Sequence, residues 1–341
     1  MEHREAPGIG PEPIDEGRPR PGRRFARLVE SPAARRLALP RLLLAGVLLL
    51  LAVALGVIGI AKLAEQVAGW VAARPEHQIR FEAIELVPEP DPCVLGGRSK
   101  ILEEVRAGTT FGDTIPLLDL DLAKLEQDFR LYAWVKDVVR VDRSHFGRLI
   151  VELTYRKPVA VVPFESVAPG AFVLDEEAVV LPDRDIDWTS TRSPFRVRGV
   201  AAPLIEIRRL PDSTPTPKVG LPWKGKAEEG STGEPDPLVL RACRLARFLQ
   251  TKQAGPDRTL AFSEIYLPDT PDGSFFLLDP EKNWVCWGKA PGDERAGEPS
   301  SEARWAMLGE WIKAHGPLST KGSDSLYFTN EGAKLYRGWR K

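Results

Sequence analysis

Residues Leu42–Ala61 read LLLAGVLLLLAVALGVIGIA, twenty positions without a charged side chain. As a helix this segment spans about 30 Å, the thickness of a bilayer's hydrocarbon core. A helix of that length buried in a soluble core would carry polar positions along one face. A cleaved signal sequence would have a shorter apolar run, close to the N-terminus. The segment therefore reads as a membrane span bounded by Leu42 and Ala61, with the lipid bilayer as its solvent. No later stretch reaches eighteen apolar residues, so a single crossing is expected. Arg23, Arg24, Arg27, Arg35, Arg36 and Arg41 precede the span within twenty residues, against Lys62, Arg74 and Arg80 after it. That imbalance places the N-terminus in the cytoplasm and the remaining C-terminal region outside it. Trp70 is a candidate for the outer interface.

The flanking composition divides the chain further. Residues 1–41 contain nine Arg and six acidic residues, with five Pro and four Gly before residue 23. Such an arm buries too little surface to fold and is expected to be disordered. Residues 62–341 carry 38 basic and 42 acidic groups, a balance that argues against a nucleic-acid partner. Three scattered Cys and four His exclude a disulfide-dense scaffold and a four-Cys zinc site.

After a linker at 62–78, periodicity gives a first folded region over 79–157. Ile79–Val87 alternates as one half-buried strand. Ser99–Arg106 is a helix stopped at Gly108, and Phe111–Leu118 is a loop. Asp119 can cap a second helix bearing Leu122, Leu125 and Phe129 on one face. Two strands follow, Val135–Arg143 (Val139 and Val141 sharing a face) and Leu149–Tyr155, joined by SHFGR at 144–148. Two helices can cover one face of the resulting three-stranded sheet.

Residues 158–341 read as a second, strand-rich region. Short strands are expected at Val159–Phe164, Ala171–Leu174, Ala178–Leu181 and Pro194–Val200, with a turn at Asp175–Glu176. Pro211–Pro237 contains six Pro and reads as a mobile insertion. A helix over Pro237–Gln253 precedes strands at Leu260–Leu267, Ser274–Asp279 and Trp284–Trp287. A last helix, Glu302–Ala314, is stopped by Gly316–Pro317. Ser325–Phe328, a turn at Asn330–Gly332 and Ala333–Tyr336 end the pattern.

The stretch LLDLDLAKLEQDFRLYAWVKDVVRVDRSHFGRLIVELTYRKPVAVV, Leu117–Val162, resembles the FtsQ/DivIB family of bacterial division proteins. The likeness lies in an LDL helix start, a WV strand opening at Trp134–Val135 and a hairpin ending in PVA. Leu174–Val180 is similar to that family's D-x-x-G-x-V hairpin, with Glu177 where Gly is usual. Asp324–Trp339 resembles its final strand. The resemblance implies an α+β protein: a single-pass helix, a POTRA domain of β-α-α-β-β order, then a mixed, mainly antiparallel β domain with helices. Departures are the long Pro88–Arg98 connection, His145–Phe146 in place of Trp-Pro, Tyr155 before PVA, and the 211–237 insertion.

No G-x-S-x-G, H-E-x-x-H, C-x-x-C or phosphate-binding loop occurs, so no enzyme activity, cofactor or metal is expected. Asp91, Asp113, Asp119 and Asp121 read as caps and turns. Cys243 and Cys286 read as buried thiols, with a disulfide between them as the alternative. What remains is binding. An exposed strand edge recruits partners through its backbone, and Leu326–Phe328 is the expected edge. By resemblance, Tyr327, Phe328, Gly332 and Trp339 receive FtsB/FtsL-type bitopic division proteins outside the cytoplasm. The POTRA domain would contact other divisome components. The alternative is a POTRA-type chaperone or translocation factor for outer-membrane or secretion substrates.

Overall fold

The computed structural model describes residues 32–72, 74–118, 120–144, 147–163, 171–190, 194–210, 217–224, 234–255, 260–320 and 324–336. The fold is mixed α+β, with one long apolar helix and a large mixed sheet. The chain divides into two compact units, Met1–Ala68 and Gly69–Lys341.

The first unit is dominated by α1, Pro32–Ala72, a helix of 41 residues and about 61 Å. Its Leu44–Val71 portion is long and apolar enough to cross a membrane. Leu48, Leu50, Leu55 and Ile60 are each more than half exposed, so among the described residues no protein core covers this surface. The helix outruns the expected span at both ends. Residues 32–41, read as part of a disordered arm, are already helical, and the expected linker stays helical to Ala72. KLAEQVAGWVA, residues 62–72, is rich in strong helix formers and has no proline to stop it. Residues 1–31 lie outside the described residues.

The second unit opens with β1 (Gln78–Arg80), β2 (Glu85–Val87), α2 (Pro92–Leu95), α3 (Gly97–Gly108), β3 (Thr114–Pro116), α4 (Leu122–Arg130), β4 (Val135–Arg143) and β5 (Leu149–Tyr155). The strand expected over Ile79–Val87 is thus two, separated by a 3-10 turn at Phe81–Ala83. Phe81 and Ile84 are both fully buried, a spacing of three that a strand's period of two cannot satisfy. β1 pairs with β3, which lies in the expected Phe111–Leu118 loop. β2 runs parallel to β5, and β5 antiparallel to β4, giving the order β2-β5-β4. Ile101, Leu102 and Val105 of α3 and Leu125 and Phe129 of α4 pack with this sheet in one cluster.

Two local expectations are corrected. Bulges in β4 shift its phase, so Val135 and Val138 are buried while Val139 is 58% exposed. The α4 cap is Asp121, whose carboxylate accepts from the N–H groups of Ala123 and Lys124 at 3.0 and 3.1 Å. Asp119, His145 and Phe146 lie outside the described residues.

The rest of the unit contains β6 (Ala160–Pro163), β7 (Ala171–Leu174), β8 (Val180–Leu181), β9 (Trp188–Ser190), β10 (Arg196–Val197), β11 (Ile205–Arg208), α5 (Pro237–Gln253), β12 (Glu264–Tyr266), β13 (Phe275–Leu278), β14 (Trp284–Gly288), α6 (Ser301–His315), β15 (Ser325–Thr329) and β16 (Gly332–Tyr336). The Pro194–Val200 strand shrinks to β10, paired with β9. The other strands form one nine-stranded sheet in the order β16-β15-β14-β13-β12-β11-β6-β7-β8. Three of its pairings are parallel and the remainder antiparallel. α5 and α6 cover one face, where Val239, Ala242, Leu245 and Leu249 of α5 and Leu308 of α6 meet Ile205, Ile265, Leu277, Val285 and Leu326. Asp236 and Ser300 cap these helices through their side chains.

The opposite face is shared unequally. Over β6–β8, Val161, Val173 and Leu181 join the cluster built by residues 79–157, so the position 157/158 lies within a common core. Asp185 ties the same junction. Its buried carboxylate accepts from the Trp134 indole N–H at 2.9 Å and pairs with Lys100.

The Pro-rich insertion is also not as expected. Residues 217–224 run along β8: the N–H groups of Gly220, Trp223 and Val180 donate to the carbonyls of Val180, Ala178 and Leu221 at 2.8, 2.7 and 3.0 Å. Trp223 is 2% exposed, and its ring packs edge-on against Phe172 at 5.6 Å. Extended, proline-containing chain suits one-sided pairing at a sheet edge. Residues 211–216 and 225–233 lie outside the described residues. In the neighbouring turn the left-handed residue is Ala178, at φ 58°, not Glu177. Ala178 therefore holds the position where a glycine would be unstrained.

Candidate functional site

The site follows from how the sheet ends. Asn330 and Glu331 form a two-residue loop, with Thr329 opposite Gly332 in the register. Gly332 has φ 129°, a region that side chains disfavour, so the loop needs glycine there. The hairpin then runs in unbroken register: Phe328 opposite Ala333, Tyr327 opposite Lys334, Leu326 opposite Leu335 and Ser325 opposite Tyr336. A two-residue loop makes its flanking pair hydrogen-bonded, and antiparallel pairs alternate from there. Lys334 and Tyr336 therefore bond back to β15, while the N–H and C=O groups of Ala333 and Leu335 point outward. Among the described residues nothing pairs with that outer side.

The edge expected at Leu326–Phe328 is thus one strand further out. β15 is internal, between β14 and β16. Phe328 turns into the α5/α6 core, 5.6 Å from the Trp287 ring. Tyr327 turns to the opposite face and meets Tyr336 edge-on at 6.0 Å. Gly332 begins β16, the edge strand among the described residues, and Trp339 lies outside the described residues. Leu335 and Tyr336, 39% and 48% exposed, are the apolar side chains on the edge that sequence reasoning passed over. Their signal was the hairpin itself, because a second arm after a tight turn must lie outside the first.

Electrostatics at the loop are local. The Lys334 ammonium donates to Glu331 at 2.6 Å, which raises the lysine's pKa and lowers the carboxylate's. Both groups stand in water, so the pair contributes little to stability.

Two other edges are defended. The far side of β8 is taken by residues 217–224. β4, an edge of the three-stranded sheet, carries two register shifts that twist an edge away from regular pairing. Trp134 and Val135 are buried and pack rather than present a surface.

The charged groups resolve into structural roles. Asp91 caps α2, and Asp113 pairs with Arg106. Cys243 lies in the core beneath Ala178, where burial pushes its thiol up. Cys286, on β14, faces away from that core between Val285 and Trp287, which point into it. All three cysteines are free, and opposite faces separate the pair proposed for a disulfide. Among the described residues no group of three His, Cys, Asp or Glu is placed to hold a metal.

One arrangement was missed by sequence reasoning. Glu206 and Glu264, both nearly inaccessible, are direct cross-strand neighbours on β11 and β12. Arg208 pairs with both, Lys282 donates to Glu264 at 2.6 Å, and the Tyr266 hydroxyl donates to it at 2.9 Å. Burial, with Glu264 adding to it, pushes that hydroxyl up to about 12. The visible signal was a glutamate alternating with isoleucine in IEIR and EIY, which puts both carboxylates on the sheet face opposite the isoleucines.

No family model matches this chain. No curated protein matches it either.

Proposed function

We propose that the chain is a bitopic membrane scaffold of the bacterial division machinery, capturing its partner by β-strand addition along β16. One observation carries the reading: β16 is regular, free of proline and bulges, and turns the backbone groups of Ala333 and Leu335 outward. Unpaired edges of this kind are aggregation hazards unless they serve a partner. The β2-α3-α4-β4-β5 order and the β2-β5-β4 sheet fit a POTRA domain, and the nine-stranded sheet fits the following β domain. α1 fits a single span, and its arginine-rich leading flank favours an N-terminus in the cytoplasm of the inner membrane and a periplasmic remainder. The partner class is then an FtsB/FtsL-type bitopic protein, with other division proteins meeting the POTRA region.

The test is photo-crosslinking in cells from position 335 of the full chain, with position 219 as a control. A single small bitopic coiled-coil protein attached at 335 and absent at 219 is expected. A broad collection of unfolded envelope proteins would favour the chaperone alternative. No adduct at 335 would sink both readings.

A further inference from the structure

Between β4 and the β7–β8 turn, charged side chains surround a cavity of about 230 Å³, lined chiefly by Lys136, Thr154, Arg156, Lys157, Glu176 and Arg247. Local backbone geometry brings them together. In β4, Val135 lies opposite Tyr155 and Asp137 opposite Thr154, so Lys136 is the extra residue of a bulge. A bulge takes its side chain out of the ladder's alternation and re-aims it. The Lys136 ammonium reaches Glu176 at 2.7 Å and Glu177 at 3.1 Å. The turn bearing those two glutamates is held by Asp175, which accepts from the N–H groups of Glu177 and Val179 at 2.9 and 2.8 Å. Arg156 and Lys157 follow directly on β5, and Arg247 comes from α5.

The cavity has an excess of donors. Lys136, Arg156, Lys157 and Arg247 are four cations, against the three carboxylates of Asp175, Glu176 and Glu177. Asp175 and Glu177 both bond to Nη1 of Arg156, at 2.6 and 2.8 Å, so its Nε and Nη2 stay without a hydrogen bond among the described residues. Glu176 is stretched between two partners, one oxygen on Lys136 and the other 3.6 Å from Nε of Arg247. The Arg247 guanidinium makes no hydrogen bond among the described residues, and the exposed Lys157 has no ion pair among them. These groups carry N–H donors and no acceptor, so what satisfies them is an acceptor-rich anion. The cavity is smaller than the roughly 300 Å³ at which drug-sized sites begin, which suits a group of a few atoms.

We infer that this cavity binds the phosphoryl group of a small soluble phosphate ester, its oxygens bonded to Arg156, Lys157 and Arg247, with Glu176 as the tethered competitor it displaces. The donors arrive from β4, from the end of β5 and from α5, three directions that a tetrahedral oxyanion meets and a flat carboxylate does not. Guanidinium forks match two of its oxygens at once. Charge argues the same way. Glu176 is a monoanion already in place, so a free carboxylate gains nothing over it, whereas a dianion does. A cationic ligand would meet more like charges than opposite ones.

The experiment titrates the full chain in dodecyl maltoside, in buffer free of phosphate and sulfate, with glycerol 3-phosphate, inorganic phosphate, acetate and dioctanoyl phosphatidic acid. Binding is read by calorimetry and phosphorus NMR. Both soluble phosphates are expected to bind, more weakly as salt rises and as pH falls through about 6, where a phosphate ester takes up its second proton. Arg247→Ala lowers the affinity by about tenfold or more, and Arg247→Lys restores part of it. Lys157→Ala, at an exposed position, weakens binding at an unchanged melting temperature. Glu176→Gln removes the competitor and tightens binding several-fold, an outcome that a damaged fold cannot produce. No binding at millimolar glycerol 3-phosphate, acetate binding as tightly, unchanged affinity in both Arg247→Ala and Lys157→Ala, or weaker binding by Glu176→Gln overturns the proposal. Binding of phosphatidic acid alone overturns it too, because the ligand would then be a membrane surface.

Discussion

Replacing Leu335 with proline separates backbone capture from every other way the last hairpin could act. The Leu335 N–H points away from β15, so the substitution removes no bond within the hairpin. Lys334, the preceding residue, is already extended, as a residue before proline prefers. Loss of one intermolecular hydrogen bond costs about 0.5–1.5 kcal/mol, and a partner carbonyl left unpaired raises the total to about 1–3 kcal/mol. Partner affinity should therefore fall by about 5- to 150-fold. Lys334→Pro is the contrasting variant, since its N–H bonds back to Tyr327 and its loss frays the hairpin. The assay is quantitative co-purification of the bitopic partner from membranes, beside thermal unfolding of each variant. Leu335→Pro should melt like the parent and lose partner, whereas Lys334→Pro should lose both. Full partner recovery by Leu335→Pro at an unchanged melting temperature would refute strand addition at β16.

Other perturbations test other parts of the molecule. Asp185→Ala orphans the Trp134 indole and Lys100 and should cost about 3 kcal/mol in denaturant unfolding, with Asp185→Asn milder because it still accepts from Trp134. Trp223→Ala should cost about 3–5 kcal/mol and raise self-association measured by sedimentation, since β8 loses its cover. Leu48→Arg and Leu51→Arg together should move the chain out of the membrane fraction, each charge costing about 2.5–3.5 kcal/mol at mid-span. Burial opposes ionisation of Glu294, but hydrogen bonds from Ser301 and Gly292 outweigh it and hold its carboxyl below the ordinary range. Its stabilisation is full above the unfolded pKa of about 4.3 and is lost as pH falls through the lower folded value. The melting temperature of the parent should thus fall more steeply below about pH 4 than that of Glu294→Gln.

Much of this architecture is legible locally. Leu149, Val151 and Leu153 alternate and are buried, Asp236–Pro237 starts α5, and Gly316 ends α6. These are short-range effects of side-chain period and backbone capping. What escaped reading depends on partners far away in sequence. Nothing in PKVGLPWK reveals that it lies beside β8, because proline content reports on backbone freedom and Trp223 finds its pocket 45 residues from Ala178. The β4 bulges are set by the mate strand, so Val139 carries no local sign of facing water. Asp185 reads as an ordinary turn acid until Trp134, 51 positions earlier, arrives beside it. At the site, the hairpin was legible and its place in the sheet was not. Only the parallel β14–β15 pairing shows which arm is outermost.

The cover over β8 has a consequence for assembly. A sheet that accepts strands at both ends can lengthen indefinitely, each added copy presenting a fresh acceptor. With residues 217–224 along β8, the strand-addition proposal leaves β16 as the one open end of this sheet among the described residues. Two copies meeting through β16 would form a closed pair with nothing left to extend, and a foreign strand at β16 would forbid even that. Under the strand-addition proposal, backbone pairing through this sheet would therefore terminate a chain of contacts rather than propagate it.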